Sequence, residues 1–421
     1  MEYEMIIGLE IHLQLNTESK MYCSCRAKAD EEHNINTCPV CLGMPGSLPT
    51  LNKKAVEYAV LLAHAVKCEI NLESEFDRKN YFYPDLPKGY QITQQRFPIA
   101  VNGYVDLDDG RIGIERIHME EEAGKSFHTR DRKGAYTLID MNRCGIPLLE
   151  LVTRPDITSP KQATDFIKYI KRIVEYLGIC DGNMEEGNLR VDANISVRPK
   201  GQVELGQRSE IKNINSFRHI RRALEFEYNR HIEILDKNEK ISFETRLYNE
   251  KDGRTHSMRS KEGANDYRYF PEPDLPTLVL TKTFVDMTGK RLPELPEVRK
   301  NRFIDEYELS EQQAQVLTST MEFADFFEET VRLFNNPAKI AGWLQTEMLS
   351  KVSVRDGIVI KAVDLAHLLN MINDDKITNT TAKDVFTKML ESGRTPEEIV
   401  AEYSITKISD DDLLREMVAE V

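Results

Sequence analysis

The chain has 421 residues, 40% of them hydrophobic and 30% charged, with a formal net charge of -14. That length accommodates two or three domains with sizeable cores, and no apolar run approaches the roughly 18 residues that a membrane-spanning helix needs. The amino terminus, Met1-Glu2-Tyr3-Glu4-Met5, lacks the basic-then-apolar order of an export signal, so a cytoplasmic protein is expected, and the acidic balance confines any nucleic-acid binding to a local basic strip.

The first element is a strand over residues 6–15. Leu9, Ile11, Leu13 and Leu15 fall on one face and Glu10, His12 and Gln14 on the other. A carboxylate and an imidazole two residues apart lie side by side and can share a cation or a proton. A plainly solvated strand face is the other reading.

Next come two close cysteine pairs, Cys23-Ser24-Cys25 and Cys38-Pro39-Val40-Cys41, separated by twelve residues. Seven cysteines, an odd number in a chain without an export signal, favour reduced thiols over disulfides. Four thiolates so arranged can close a tetrahedral zinc site, with Gly43 permitting the tight turn after the second pair. The Cys-x-x-Cys pair also has redox spacing, but no strand-then-helix context surrounds it. Cys68, Cys144 and Cys180 stand alone and read as buried thiols.

A packed helix is predicted over 52–67, with Ala55, Tyr58, Ala59, Leu62 and Ala63 on one face. The stretch from Asp77 to Gln91 interleaves Tyr81, Phe82, Tyr83 and Tyr90 with Arg78, Lys79 and Lys88. Such a stretch can stack a base or line a polar passage, or it can be an aromatic core loop. Further strands are expected at 111–118, 136–141, 190–198 and 243–248. A helix is expected after Asn215-Ser216, where Phe217, Ile220, Ala223 and Leu224 form the inner face and Arg218, Arg221 and Arg222 a solvated one.

Acidic residues recur between these elements. The strand ending at His118 runs into Glu120, Glu121 and Glu122, and Glu150 interrupts the apolar run Ile146–Val152. Asp192 and Asn194 share a strand face, near Glu185 and Glu186. A carboxylate within an apolar run is costly unless a cation, a donor or water meets it. These acids therefore share a concave surface suited to a hard cation such as Mg²⁺, or they pair with Arg143, Arg190 and Lys212. Neither standard glycine-rich phosphate loop occurs in the sequence.

Leu292-Pro293-Glu294-Leu295-Pro296 marks a stiff linker, beyond which the pattern is helical to the end. From residue 295 onward 24 acidic residues oppose 14 basic ones, so most of the net negative charge resides there.

Taken together, Ile7-Gly8-Leu9-Glu10-Ile11-His12, Phe76–Asp85, His118-Met119-Glu120-Glu121, Glu210–Phe217 and Asp266–Asp274 closely resemble the GatB family. Its members are B subunits of heterotrimeric aspartyl/glutamyl-tRNA amidotransferases. The related GatE proteins carry a large inserted domain after the Pro-Glu-Pro motif, whereas here Pro271-Glu272-Pro273 leads within about twenty residues to the helical part.

The resemblance implies an α+β chain. A mixed-sheet, cradle-shaped catalytic domain would span 1–292 with a zinc-binding insertion at 23–41, a helical domain 293–405, and the start of a mostly missing YqeY-like tail domain 406–421. It implies ATP-dependent phosphorylation of the side-chain carboxylate of Glu-tRNA(Gln) or Asp-tRNA(Asn), then amidation with ammonia from a glutaminase A subunit, with a C subunit bracing the pair. Glu10, His12, Glu121 and Glu150 would be catalytic and hold Mg²⁺, with Asp192 or Glu186 as neighbours. Lys79, Tyr81 and Lys88 would line the ammonia passage, Lys88 and Glu121 forming its polar gate. Cys23, Cys25, Cys38 and Cys41 would hold Zn²⁺. The rival reading is a non-catalytic tRNA-binding assembly protein whose acids form only ion pairs.

Overall fold

A computed structural model describes residues 2–29, 31–131, 134–258, 267–352 and 357–402. The chain divides into two compact units, Met1–Pro293 and Glu294 onward.

The first unit is built on strand β1 (Tyr3–Gln14), whose alternation is the one expected from sequence: Leu9, Ile11 and Leu13 are buried while Glu10, His12 and Gln14 are only half-buried. Helix α1 (Lys53–Ala65) starts where Asn52 accepts hydrogen bonds from the amides of Lys54 and Ala55. Short strands β2 (Glu69–Ile70), β3 (Glu73–Ser74), β4 (Asp77–Asn80) and β5 (Tyr90–Thr93) follow. Then come β6 (Ala100–Leu107), the long β7 (Gly110–Glu121), the hairpin β8 (Lys125–Asp131) with β9 (Gly134–Asp140), and β10 (Pro147–Thr153). Helix α2 (Pro160–Tyr176) has Ser159 as its cap and Pro160 in its first turn. After β11 (Leu189–Pro199) and β12 (Arg208–Lys212), helix α3 (Phe217–Asp236) is capped by Ser216, and Arg218, Arg221 and Arg222 lie on its outer side as expected. Strands β13 (Glu244–Asn249), β14 (Arg254–Ser257), β15 (Phe270–Pro271) and β16 (Leu278–Val279) and helix α4 (Lys282–Gly289) complete the unit.

Nine strands form one sheet in the order β14-β13-β12-β11-β1-β10-β7-β6-β2. It is mixed: β12 and β13 run parallel, while β1 is antiparallel to both of its neighbours, β10 and β11. The apolar face of this sheet buries against α1, α2 and α3, which leaves the Glu10–His12 face for other work. A second, three-stranded sheet, β15-β4-β5, stands against β7.

Glu227 lies under the β12–β14 edge, fully buried on α3, and binds Arg230, Arg246, His231 and Thr255. Removing this carboxylate would leave Arg230 and Arg246 with Glu244 alone, 3.4 and 2.7 Å away, at a cost of about 3–5 kcal/mol.

The second unit is helical: α5 (Pro296–Tyr307), α6 (Glu311–Leu317), α7 (Met321–Leu333), α8 (Pro337–Trp343), α9 (Ala362–Asn373), α10 (Asn379–Ser392) and α11 (Pro396–Glu402), with one π-helical turn, Leu344–Met348, after α8. Its core gathers Phe303, Phe323, Phe327, Leu344, Leu365, Leu368 and Phe386. Glu328 on α7 ties Arg299 and Arg302 of α5 to it. The large mixed sheet followed by a helical region is the α+β architecture expected. The expected tail segment 406–421 lies outside the described residues.

Candidate active site

Cross-strand register assembles the polar face. On β1, His12 stands opposite Arg190 of β11 and Glu150 of β10, and Glu150 stands opposite His118 of β7. One step along, Glu10 pairs with Asp192. The row runs across four strands, which is why residues separated by more than a hundred positions meet.

Two triads result. In the first, the donor atoms of His12, Glu120 and Glu150 all lie within 4.8 Å of one another, and in the second so do those of Glu10, Asp192 and Glu210. Glu150 Oε2 lies 3.2 Å from His12 Nε2 and 3.1 Å from His118 Nε2. Glu120 accepts from Thr93 Oγ1 at 2.7 Å and Gln91 Nε2 at 3.0 Å, with Lys79 Nζ at 4.0 Å. In the second triad Asn194 Nδ2 donates to Glu10 at 2.9 Å, Thr245 Oγ1 to Glu210 at 2.6 Å, and Lys212 Nζ sits 2.7 Å from Asp192. Both triads line one open cleft of about 450 Å³, together with Lys79, Tyr81, Arg116, Glu122, Arg190, Tyr267 and Tyr269.

The electrostatics follow from this crowding. Burial pushes the Glu150 carboxyl up, but the His118 and His12 rings outweigh it and hold the group well below the usual carboxylate range. Burial works against protonation of His118, yet Glu150 and Glu120 raise it to about 9. Glu120 falls to about 2: burial and Glu150 oppose ionisation, and Lys79 and His118 win. Glu10 moves the other way, raised by burial and by Glu150, Asp192 and Glu210. A face with more acids than nearby cations holds protons on its imidazoles, and a dication there would release them.

A second site lies in the loop after β1. The four sulfurs of Cys23, Cys25, Cys38 and Cys41 lie within 4.8 Å of one another, and Cys38 Sγ to Cys41 Sγ is 4.0 Å. Tetrahedral Zn–S bonds of about 2.3 Å require sulfurs just under 4 Å apart. The Cys38 amide donates to Cys41 Sγ at 3.2 Å, and Cys41 is lowered to about 5, mainly by a hydrogen bond from Cys23. This cluster can hold a metal such as zinc. Asp140 anchors the intervening loop through His33 and Asn34, and Asn142 does so through Asn36.

With this geometry in view, comparison with known proteins is decisive. The model of the GatB/GatE catalytic domain matches residues 5–286 and that of the GatB domain residues 325–421. The chain belongs to the GatB/GatE family. The B subunit of the aspartyl/glutamyl-tRNA(Asn/Gln) amidotransferase of Thermodesulfovibrio yellowstonii is 48% identical over all of this chain and 90% of that protein. Those of Caldicellulosiruptor saccharolyticus and Persephonella marina are 47% and 46% identical, likewise over the whole chain, covering 89% and 90% of their own lengths.

Among the residues expected from the GatB resemblance, Glu10, His12, Glu150 and Asp192 share the cleft with Lys79 and Tyr81. Glu121 does not join them. Its carboxylate pairs with Lys88 and accepts from the Ile92 amide at 3.1 Å, and it lines a separate small cavity beside the cysteines. The physical reason is strand alternation: Glu120 and Glu121 are neighbours on β7 and point to opposite sides. Glu120 takes the place expected of Glu121. Glu186 lies in the turn before β11, where it accepts from Asn188 Nδ2 at 3.3 Å, and it does not line the cleft. Lys88 is likewise not in the cleft but beside Glu121. His118, Glu120 and Glu210 also line this cleft; all three sit inside motifs singled out from the sequence, but none was named there as a site residue.

Proposed function

We propose that this chain is the B subunit of a cytoplasmic, glutamine-hydrolysing aspartyl/glutamyl-tRNA amidotransferase. It uses ATP to phosphorylate the side-chain carboxylate of Glu-tRNA(Gln) or Asp-tRNA(Asn) and turns it into the amide with ammonia from a glutaminase A subunit, within a heterotrimer completed by a C subunit. Ammonia cannot displace oxide from a carboxylate at a useful rate. Phosphorylation converts that oxygen into a leaving group, so that the C–N bond forms as the C–O bond to phosphate breaks.

The observation that carries this reading is the pair of carboxylate triads on one sheet face, one with an imidazole, in a single open cleft. A donor set of carboxylates with one imidazole fits Mg²⁺ or Mn²⁺. His12, Glu120 and Glu150 would hold one such ion, with Glu10, Asp192 and Glu210 beside it. The ion, when bound, supplies the positive charge that offsets the phosphate oxygens during transfer. His118, hydrogen-bonded to both Glu120 and Glu150, fixes the angle between those two carboxylates. Lys79, Arg116 and Arg190 line the same cleft and bind anionic groups.

Ammonia would arrive past Lys88 and Glu121 and then Lys79 and Tyr81. Support comes from β5 and β7, where Gln91 and Glu120 face the cleft while Tyr90, Ile92 and Glu121 face the small cavity, so the two spaces adjoin across the same pair of strands. The cysteine cluster would hold structural Zn²⁺, since four sulfurs leave no open coordination position.

The test is a single turnover of the reconstituted heterotrimer with mischarged tRNA and γ-labelled ATP, without an ammonia source. Glu150→Gln should abolish the labelled acyl phosphate, while in a separate reaction supplied with glutamine the A subunit still hydrolyses it. Wild-type levels of acyl phosphate in that variant would leave the acids as mere ion-pair partners and favour an assembly role.

A further inference from the structure

Lys20 is fully buried. Its ammonium donates to Asn36 O at 2.6 Å, to Met141 O at 3.2 Å and to Cys41 Sγ at 3.8 Å. None of these three partners is a carboxylate. A cation kept in the interior needs a compensating negative charge, and of these three partners only the Cys41 sulfur can carry one. Four thiolates around a dication would leave the centre with surplus negative charge, next to the Lys20 nitrogen.

The same loop touches the Lys88–Glu121 pair. Gly43, two residues beyond Cys41, has φ +66°, and a Cβ there would lie 2.6 Å from Lys88 Cγ and 3.1 Å from Lys88 Cα. The cysteine turn is therefore packed directly on the lysine stem. On the other side, a Cβ at Gly145 would meet Lys20 Cδ at 3.5 Å, Cys41 Cβ at 3.6 Å and Glu121 Oε2 at 3.8 Å, so one point borders all three groups. Lys20, Tyr22, Cys23, Cys41, Lys88 and Glu121 enclose a cavity of only about 70 Å³. So small a space leaves the pair little freedom while the loop stays in place.

We propose that the four-cysteine centre serves to hold Lys88 on Glu121, with Lys20 as the internal counter-cation that fixes the metal-loaded loop and Gly43 as the contact that seats the lysine. This rests on reading the cysteines as a metal centre. Lys20 and Gly43 are positioning residues: neither touches the acidic cleft. The function of the zinc loop is then not confined to its own fold, because its occupancy sets how tightly one wall of the neighbouring cavity is closed.

The experiment compares the full chain with zinc loaded, removed by a chelator under reducing conditions, and reloaded, following modification of lysines by an amine-reactive reagent with peptide mass spectrometry. Lys88, 7% exposed, should react slowly when zinc is bound, several-fold faster when it is removed, and slowly again on reloading. Lys161, 66% exposed, and Lys171, 13% exposed, report general reactivity and an intact α2, and should not change. Gly43→Ala should keep its zinc yet show fast Lys88 modification. Lys20→Met should bind zinc about 10- to 100-fold more weakly, as loss of an outer partner does. Equal Lys88 reactivity with and without zinc, together with slow modification in Gly43→Ala, would overturn the coupling. A chain that binds no zinc under any of these conditions would overturn the metal reading itself, and the proposal with it.

Discussion

Adjacent glutamates on β7 offer a sharp contrast. Glu120→Gln and Glu121→Gln each remove one carboxylate from the same strand end, but from opposite faces. Glu120 shares its triad with His12 and Glu150, so its loss takes away a donor atom and a negative charge from the ion site. The cost in divalent affinity should be no smaller than the roughly 10- to 100-fold that loss of a mere outer partner brings, or about 1.4–2.8 kcal/mol. Glu121→Gln leaves all six triad residues in place. Its penalty appears in stability, because Lys88, 7% exposed, loses its counter-charge, and breaking a buried pair costs about 3–5 kcal/mol. At roughly 2–4 °C per kcal/mol for a unit of this size, Tm should fall by about 6–20 °C. Titration of Mn²⁺ followed by electron paramagnetic resonance, on the full chain, reads the first effect, and calorimetry the second. An equal loss of Mn²⁺ affinity in both variants, or a loss only in Glu121→Gln, would refute the assignment of Glu120 over Glu121.

Other expectations concern the rest of the molecule. Glu227→Ala should destabilise the first unit by about 3–5 kcal/mol, measured by urea unfolding, because Arg230, Arg246 and His231 lose their common partner. Burial pushes Glu227 up, but His231, Arg230 and Thr255 outweigh it and bring it to about 2, below its ordinary value of 4.5. Its contribution is therefore complete above pH 4.5 and lost as pH falls through about 2, and Glu227→Gln should flatten that part of the stability profile. In the helical unit, Phe327 is fully buried, with its ring centroid 5.0 Å from that of Phe303. Phe327→Ala should cost about 3–5 kcal/mol, read as a lower urea midpoint. Metal analysis of the reduced chain should find one zinc equivalent, lost in Cys38→Ser with Cys41→Ser; zinc retained in that double variant would place it elsewhere.

Much of this was legible in residue order alone. The period-two pattern of residues 6–15 gave the central strand and its loaded face, the 3.6-residue period at 52–67 gave a helix, Asn215-Ser216 gave the start of another, and the proline-rich stretch at 292–296 lay at the junction of the two units. The choice between Glu120 and Glu121 was not legible. Ile112 and Ile114 are buried at even positions, Ile117 and Met119 at odd ones, because β7 shifts register against β10 between Val152 and Thr153. A bulge there reverses which parity faces the core, and nothing in the local sequence announces it. Glu210 escaped for a related reason. Its strand reaches the cleft through the pairing of Asn194 with Glu210, a register fixed by distant β-strand packing rather than by its own neighbours.

The most direct measurement is an anomalous difference map from crystals of the full chain soaked in Mn²⁺ together with a non-hydrolysable ATP analogue. The expected result is manganese bonded to His12, Glu120 and Glu150, with the analogue's terminal phosphate in the same cleft and Glu121 still on Lys88. Manganese bound only outside the cleft, or a nucleotide seated away from these carboxylates, would contradict it.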